Sequence, residues 1–244
     1  MAVPVTFAHP VAVLALRRTP LPMSALVIGS MVPDLPLFLP WAPLDYATTH
    51  TPLGLVTVDV VIGVLVWAVW HAVIRAPVLD AAPSPLRRRI ASAPAPRGMR
   101  ALLVPVAVAV GATTHVVWDE FTHIGRWGER HITWLAEVHA GLPGVKWAQY
   151  VSGVGGLLLL AVVVAILLYR TPPAPQAPRA RPRLAPWILA APTGAVALTA
   201  AVVVATASEI SLRSVAYGVI TQGAVAGVAV LTLTCALWHV APRR

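Results

Sequence analysis

The chain has one cysteine, Cys235, in 244 residues, so neither a disulfide framework nor a thiolate metal site can form within it. Charge is almost as scarce: 11% of residues are Asp, Glu, Lys or Arg, where a soluble domain carries about 25%. With 58% hydrophobic residues and a mean hydropathy of +0.77, the composition excludes an ordinary soluble domain and implies a polytopic membrane protein. Lysine is nearly absent too; Lys146 stands alone and the other seventeen basic residues are Arg. The N-terminus lacks a basic start, and Pro4, His9 and Pro10 interrupt its apolar residues, so no cleavable signal peptide is expected.

A net charge of +9 raises the question of nucleic acid as partner. The arginines lie in loops between apolar runs, however, which points to membrane topology and anionic lipid instead. Five spans are legible: Pro52–Ile74, Ala101–Trp118, Tyr150–Tyr169, Leu184–Ala207 and Ser214–Val240. Before them, Val11–Leu16 and Met23–Met31 are each shorter than the roughly 20 apolar residues a spanning helix needs. They form either a helical hairpin dipping part-way into the membrane or, over Leu21–Leu39, one span interrupted at Pro33. The hairpin is preferred because it leaves His9 and Asp34 together at its open end. The fold class expected is therefore all-α: about five transmembrane helices plus an N-terminal re-entrant or short helical hairpin.

Residues 75–100 hold six Arg, residues 170–183 hold four, and Arg243-Arg244 end the chain. The opposite-side segments, 120–146 and 208–213, hold Arg126, Arg130, Lys146 and Arg213. Twelve basic residues against four assign the Arg-rich loops and the C-terminus to the cytoplasm of a bacterial cell (plasma) membrane. That orientation brings His9, Asp34, His50, His115, Asp119 and His123 to the outer side. His71 and His239 fall at inner ends and are set apart from this group. Trp41, Trp118, Trp147, Trp187 and Trp238 near span ends fit an interfacial aromatic belt.

His115 and Asp119 are four apart and share a helix face, with His123 one turn on. Ionisable groups at membrane depth are costly and call for a partner. Imidazole and carboxylate together suit a divalent ion, Zn foremost, with Mn or Fe as the other candidates. The candidate metal ligands are His9, Asp34, His50, His115, Asp119 and His123, enough for one ion or two. Thr114 and Thr122 are candidates to orient ligand histidines, and Glu120 and Glu137 to act as general bases. Asp59, about 10 Å into its span, is a buried hydrogen-bonding group, a proton relay or a partner of the site. The loop 120–146, with His131 and His139, is either a lid or solvated polarity.

Three regions follow from this layout: residues 1–146 carry the His/Asp cluster, 147–183 hold the third span and a Pro/Arg-rich cytoplasmic linker, and 184–244 form a two-span hairpin. The stretches Pro83–Pro96 and Pro172–Pro186 are expected to be extended or disordered linkers. Gly218, Gly223 and Gly227 permit close helix approach in the last region.

Phe7-Ala8-His9-Pro10, Gly29-Ser30-Met31-Val32-Pro33-Asp34, Thr49-His50-Thr51 and His115-x-x-Trp118-Asp119-x-x-Thr122-His123, in this order, resemble an actinobacterial membrane-protein family catalogued as domain of unknown function 4184. More distantly, the order is similar to that of the bacterial membrane-bound metal-dependent hydrolases, over roughly residues 5–125. That family shows a second Asp after Pro-Asp and a His-Arg before Thr-His, where this chain has Leu35-Pro36 and Ala47-Thr48. The resemblance implies a metal-dependent hydrolase with its site in the membrane, acting on an ester or phosphoester of a lipid-like substrate. Two other functions fit the same residues: a metal- or proton-coupled transporter with Asp59 on its path, and a non-catalytic scaffold with a structural metal site.

Overall fold

The computed structural model describes residues 6–90, 96, 98–175, 180–207 and 211–242. The expectations for Arg97, Arg179 and Arg243-Arg244, and for parts of both Pro-rich stretches, lie outside the described residues. Seven helical segments carry the fold: α1 (Thr6–Leu16) and α2 (Met23–Phe38), both short and apolar, α3 (Pro52–Ala81), α4 (Val104–Thr122), α5 (Gly144–Arg170), α6 (Ala185–Thr206) and α7 (Leu212–Val240). Among the described residues, the only strands are Val138–His139 and Leu142–Pro143, a two-residue antiparallel ladder in a loop.

Helices α3, α5, α6 and, from Ser214, α7 are long and apolar enough to cross a membrane. The chain is thus an all-α polytopic membrane protein. The remaining expected span is α4, whose 19 residues reach about 28 Å. Its Thr, His and Asp residues make it less apolar than those four, and it packs on α2, α3 and α5. The N-terminal segment is a pair of short helices. Pro33 sits in a 3-10 turn, Val32–Asp34, that divides α2 and prevents a continuous span.

Lipid tails are as apolar as leucine, so helices in a bilayer associate through close packing. Gly29 of α2 and Gly111 of α4 provide it. A Cβ at Gly29 would strike the Val108 backbone, and one at Gly111 would strike the Leu26 carbonyl and the Ser30 nitrogen. Around this contact Val13, Ala25, Leu26, Val104, Ala107 and Val108 form one buried core. Helices α6 and α7 pair in the same manner: Gly218 faces Val203, while Gly223 and Gly227 face Val196. Ile188 of α6 and Cys235 and Trp238 of α7 join Ile74 and Ala81 of α3 in a second core.

Described parts of both Arg-rich stretches are built into the fold. Ser84–Ile90 is helical, and Ala180 and Arg181 donate backbone N–H groups to the Asp80 carboxylate. Near this end α3 widens into a π-helical turn over Trp70–Ile74. Pro77 has no N–H for the carbonyl of Val73, four residues before it, and the His239 ring takes that carbonyl at 2.9 Å through Nε2.

Candidate metal centre

The centre is assembled from four stretches of chain. α4 supplies His115 and Asp119, both buried, one turn apart. The close approach at Gly29 and Gly111 brings the end of a helical run in α2 against them. Helix-end carbonyls lack an intrahelical partner, and that of Ser30 accepts from His115 Nδ1 at 2.8 Å. A carbonyl only accepts, so Nδ1 carries a proton and Nε2 is the ring nitrogen left to face the carboxylates. Nε2 points between two carboxylates, 3.4 Å from Asp34 Oδ1 and 3.4 Å from Asp119 Oδ2.

Asp34 closes the 3-10 turn that Pro33 starts, and Thr6 donates its hydroxyl to Asp34 Oδ2. His50 caps the helical turn Tyr46–Thr49, and its Nδ1 reaches back to the Tyr46 carbonyl at 2.9 Å. That fixes His50 in the same tautomer as His115, with Nε2 3.5 Å from Asp119 Oδ2. Thr49 holds the turn by donating to the Pro33 carbonyl at 2.8 Å. The Tyr46 ring stacks on His50 at 3.8 Å between centroids. Burial and the Asp119 and Asp34 carboxylates push the Tyr46 phenol well up, so it stays a neutral donor beside Asp119.

One ligand atom from each of Asp34, His50, His115 and Asp119 lies within 4.8 Å of the others. Ligands bound at about 2.0–2.1 Å around a tetrahedral ion stand roughly 3.3–3.4 Å from one another. The separations of 3.4, 3.4 and 3.5 Å match that spacing and exceed the 2.7–3.2 Å mode of direct N–H···O bonds. His50 Nε2, His115 Nε2 and Asp119 Oδ1 are buried and make no hydrogen bond. A proton on His115 answers one of these orphaned atoms and leaves His50 unanswered. A divalent cation among the four residues answers both imidazole nitrogens and neutralises the two carboxylates, so the donor set fits such an ion.

His9 and His123 flank the group. The His9 ring stacks on His115 with centroids 3.9 Å apart, and its Nε2 is 3.7 Å from Asp119 Oδ1. Burial, helped by His115, pushes the His9 imidazole down to about 4, so it is neutral at physiological pH. His123 Nδ1 lies 3.2 Å from Asp119 Oδ1 and 3.1 Å from the Thr122 hydroxyl. Its Nε2 meets the Gln149 amide nitrogen at 3.0 Å, and Lys146 donates to the Gln149 oxygen at 2.8 Å. Lys146 thereby orients the amide, whose N–H donates to His123.

The other residues singled out from the sequence lie elsewhere. Glu120 accepts from the Trp127 backbone N–H at 2.9 Å and from Arg126 at 3.3 Å. Glu137 is exposed, beyond the turn Thr133–Ala136. Thr114 donates to the Gly111 carbonyl. His131 and His139 stack on Trp127 and Trp134. His71 pairs with Ser24 at 3.1 Å, and Asp59 is buried on α3 with neither oxygen hydrogen-bonded. Thr6, Tyr46, Thr49 and Gln149 are the contributors that sequence reasoning missed. Tyr46 had a signal in its four-residue spacing to His50, and Gln149 in being the one amide at the start of an apolar helix.

Comparison with known protein families gives one match: the family described as domain of unknown function (DUF4184), over residues 3–237. The chain belongs to this family. The match runs from α1 into α7 and takes in both the His/Asp group and most of the α6–α7 pair. No curated protein and no solved structure matches the chain.

Proposed function

We propose that this DUF4184 protein is a membrane-embedded, metal-dependent hydrolase that cleaves an ester or phosphoester of a lipid-like substrate. The observation that carries the reading is the convergence of one ligand atom from each of four buried residues within 4.8 Å, with His50 Nε2, His115 Nε2 and Asp119 Oδ1 buried and without a hydrogen bond. Asp34, His50, His115 and Asp119 would hold the ion, with Zn foremost and Mn or Fe(II) next. Bound there, it would supply Lewis acidity and lower the pKa of a water. The chain does the rest. Ser30 and the Tyr46 carbonyl hold the two imidazoles in register, Thr6 holds Asp34, and the Tyr46 hydroxyl faces Asp119 Oδ2 at 3.5 Å. Water would lose a proton as its oxygen bonds to the acyl carbon or phosphorus, with His9 Nε2 beside Asp119 Oδ1 at 3.7 Å. The ester C–O or P–O bond breaks, and that proton passes to the departing alcohol. The Arg distribution favours a site on the extracytoplasmic side.

A second reading has its own observation. Asp59, fully buried on a membrane helix without a hydrogen-bond partner, suits a proton- or metal-coupled transporter. Flux in proteoliposomes that disappears in Asp59→Asn favours it. A non-catalytic scaffold with a structural ion predicts that stripping the metal unfolds the protein.

Elemental mass spectrometry on protein purified without chelator tests the hydrolase reading. One equivalent of metal, lost in His115→Ala and in Asp119→Ala, is the expected result and justifies an esterase and phosphoesterase screen. Wild-type protein that stays metal-free after reconstitution with Zn, Mn and Fe overturns it.

A further inference from the structure

An open groove of about 450 Å³ lies beside the centre, lined by Ala12 of α1 and by Thr113, Val117, Trp118, Phe121 and Thr122 of α4, among others. Residues 113, 117 and 121 are spaced by four, so their side chains run along one face for two turns, about 12 Å. The groove contains threonines, yet their hydroxyls are turned away. Thr113, Thr114 and Thr122 donate to the carbonyls of Ala109, Gly111 and Trp118 on their own helix. What remains for a ligand is methyl groups and rings.

One wall of the groove is also a wall of the metal centre. The Trp118 ring lies 6.0 Å from the His9 ring, and Thr122 touches His123; both histidines stand against Asp119 Oδ1. An apolar trough on a membrane protein's helix face is met by lipid. A trough that shares a wall with a polar, buried His/Asp group suits a molecule with an alkyl chain at one end and a reactive head at the other. A water-soluble ester finds no polar atom along the groove to hold it.

We propose that the groove between α1 and α4 seats an acyl chain of a bilayer phospholipid and delivers its head group laterally to the Asp119 centre, past Trp118 and Thr122. The hydrolase reading supplies the reaction; the groove supplies the substrate class.

The test uses the full chain in nanodiscs of phosphatidylglycerol and phosphatidylethanolamine. A trace of phospholipid carries a photoactivatable diazirine on its acyl chain, and labelled residues are mapped by peptide mass spectrometry. Labelling at Val117 and Phe121 should exceed that at Leu158 of α5 several-fold, although Leu158 is the more exposed (63% against 54% for Val117). Equal labelling would mean ordinary annular lipid and overturns the proposal. Val117→Trp, which fills the groove, should abolish the enrichment while leaving metal content and Tm unchanged; enrichment that survives it overturns the proposal as well. Enrichment with a diazirine fatty acid but not with the phospholipid overturns the choice of ligand. Metal measured on the same samples separates the two readings. Enrichment without metal removes the hydrolase and leaves the groove, whereas metal without enrichment removes the groove and leaves the hydrolase.

Discussion

At one end of α3, Asp80 is buried and both its oxygens are taken. Ala180 donates to Oδ1 at 2.7 Å, and the Arg181 backbone and the Trp238 indole each donate to Oδ2 at 3.0 Å. Arg181 lies over the Trp238 ring at 4.2 Å and donates to the carbonyls of His239 and Ala241, closing the end of α7. Beyond the other end of α3, a helix of about 45 Å, Asp119 is equally buried but faces four imidazoles at 3.2–3.7 Å, and its Oδ1 makes no hydrogen bond. The first carboxylate is met by N–H donors that no change of ligand alters. The second is met by ring nitrogens, two of them His50 and His115 Nε2, held in place by hydrogen bonds on the far side of the rings. A group that only holds the fold is satisfied by the fold; one that awaits a cation is held with its acceptors converging and unpaired.

Replacing the two carboxylates in turn gives the largest effects. Asp119→Ala should abolish bound metal and, in the presence of chelator, leave Tm close to that of wild type. Asp80→Ala strands the buried Arg181 and Trp238 N–H groups at about 1–3 kcal/mol each and releases that of Ala180 to water. It should therefore cost about 2 kcal/mol or more while metal stoichiometry stays at the wild-type value. Thermal unfolding in detergent with and without chelator, paired with elemental analysis, reads both. An Asp80→Ala protein that folds but has lost its metal would break the comparison.

The next effect separates the two glycine contacts. A Cβ at Gly111 meets backbone, the Leu26 carbonyl and the Ser30 nitrogen, whereas one at Gly227 meets chiefly a Val196 methyl. Backbone cannot step aside as a side chain can, so Gly111→Ala should cost about 1–3 kcal/mol. It should also weaken metal binding by lifting the Ser30 carbonyl away from His115. Gly227→Ala should cost less and leave metal affinity alone. Denaturant unfolding and a competitive Zn titration on the two variants decide it; equal metal affinities in both would detach the α2–α4 contact from the centre.

Much of this was legible in the sequence, and what was not has a physical reason. Apolar runs and sparse charge are local properties, so the membrane helices could be read directly, and the i, i+4 spacing put His115 and Asp119 on one face. That Asp34 and His50 meet them follows from Pro33, which divides α2, and from the short turn before α3. Thr6 contributes through tertiary placement alone, which no local period encodes, while Tyr46 and Gln149 left only weak local signals. The Asp80 knot was missed for a different reason. Pro, Ala and Arg between residues 172 and 186 read as a linker, but a carboxylate at the end of α3 fixes Ala180 and Arg181 by their backbone N–H groups, which every sequence possesses.

The smallest effects come from one outlying residue at each end. Gln149 touches the metal centre only through His123, which it holds by the ring nitrogen opposite Asp119. Residues that orient a ligand set from outside typically change metal affinity by about 10–100-fold. Since His123 itself stands beside the four converging residues, Gln149→Ala should fall near the low end, about tenfold, with Tm in chelator nearly unchanged. His239 is its counterpart at the Asp80 end, because its ring takes the Val73 carbonyl that Pro77 leaves free. His239→Ala should cost about 1 kcal/mol and change metal affinity not at all. A Zn titration and a melting curve on each variant make a two-by-two comparison in which each should move one readout. If Gln149→Ala lowers Tm in chelator as much as His239→Ala does, the Lys146–Gln149–His123 chain is a structural strut like the Asp80 knot, and the division between the two ends of α3 narrows to the four residues around Asp119.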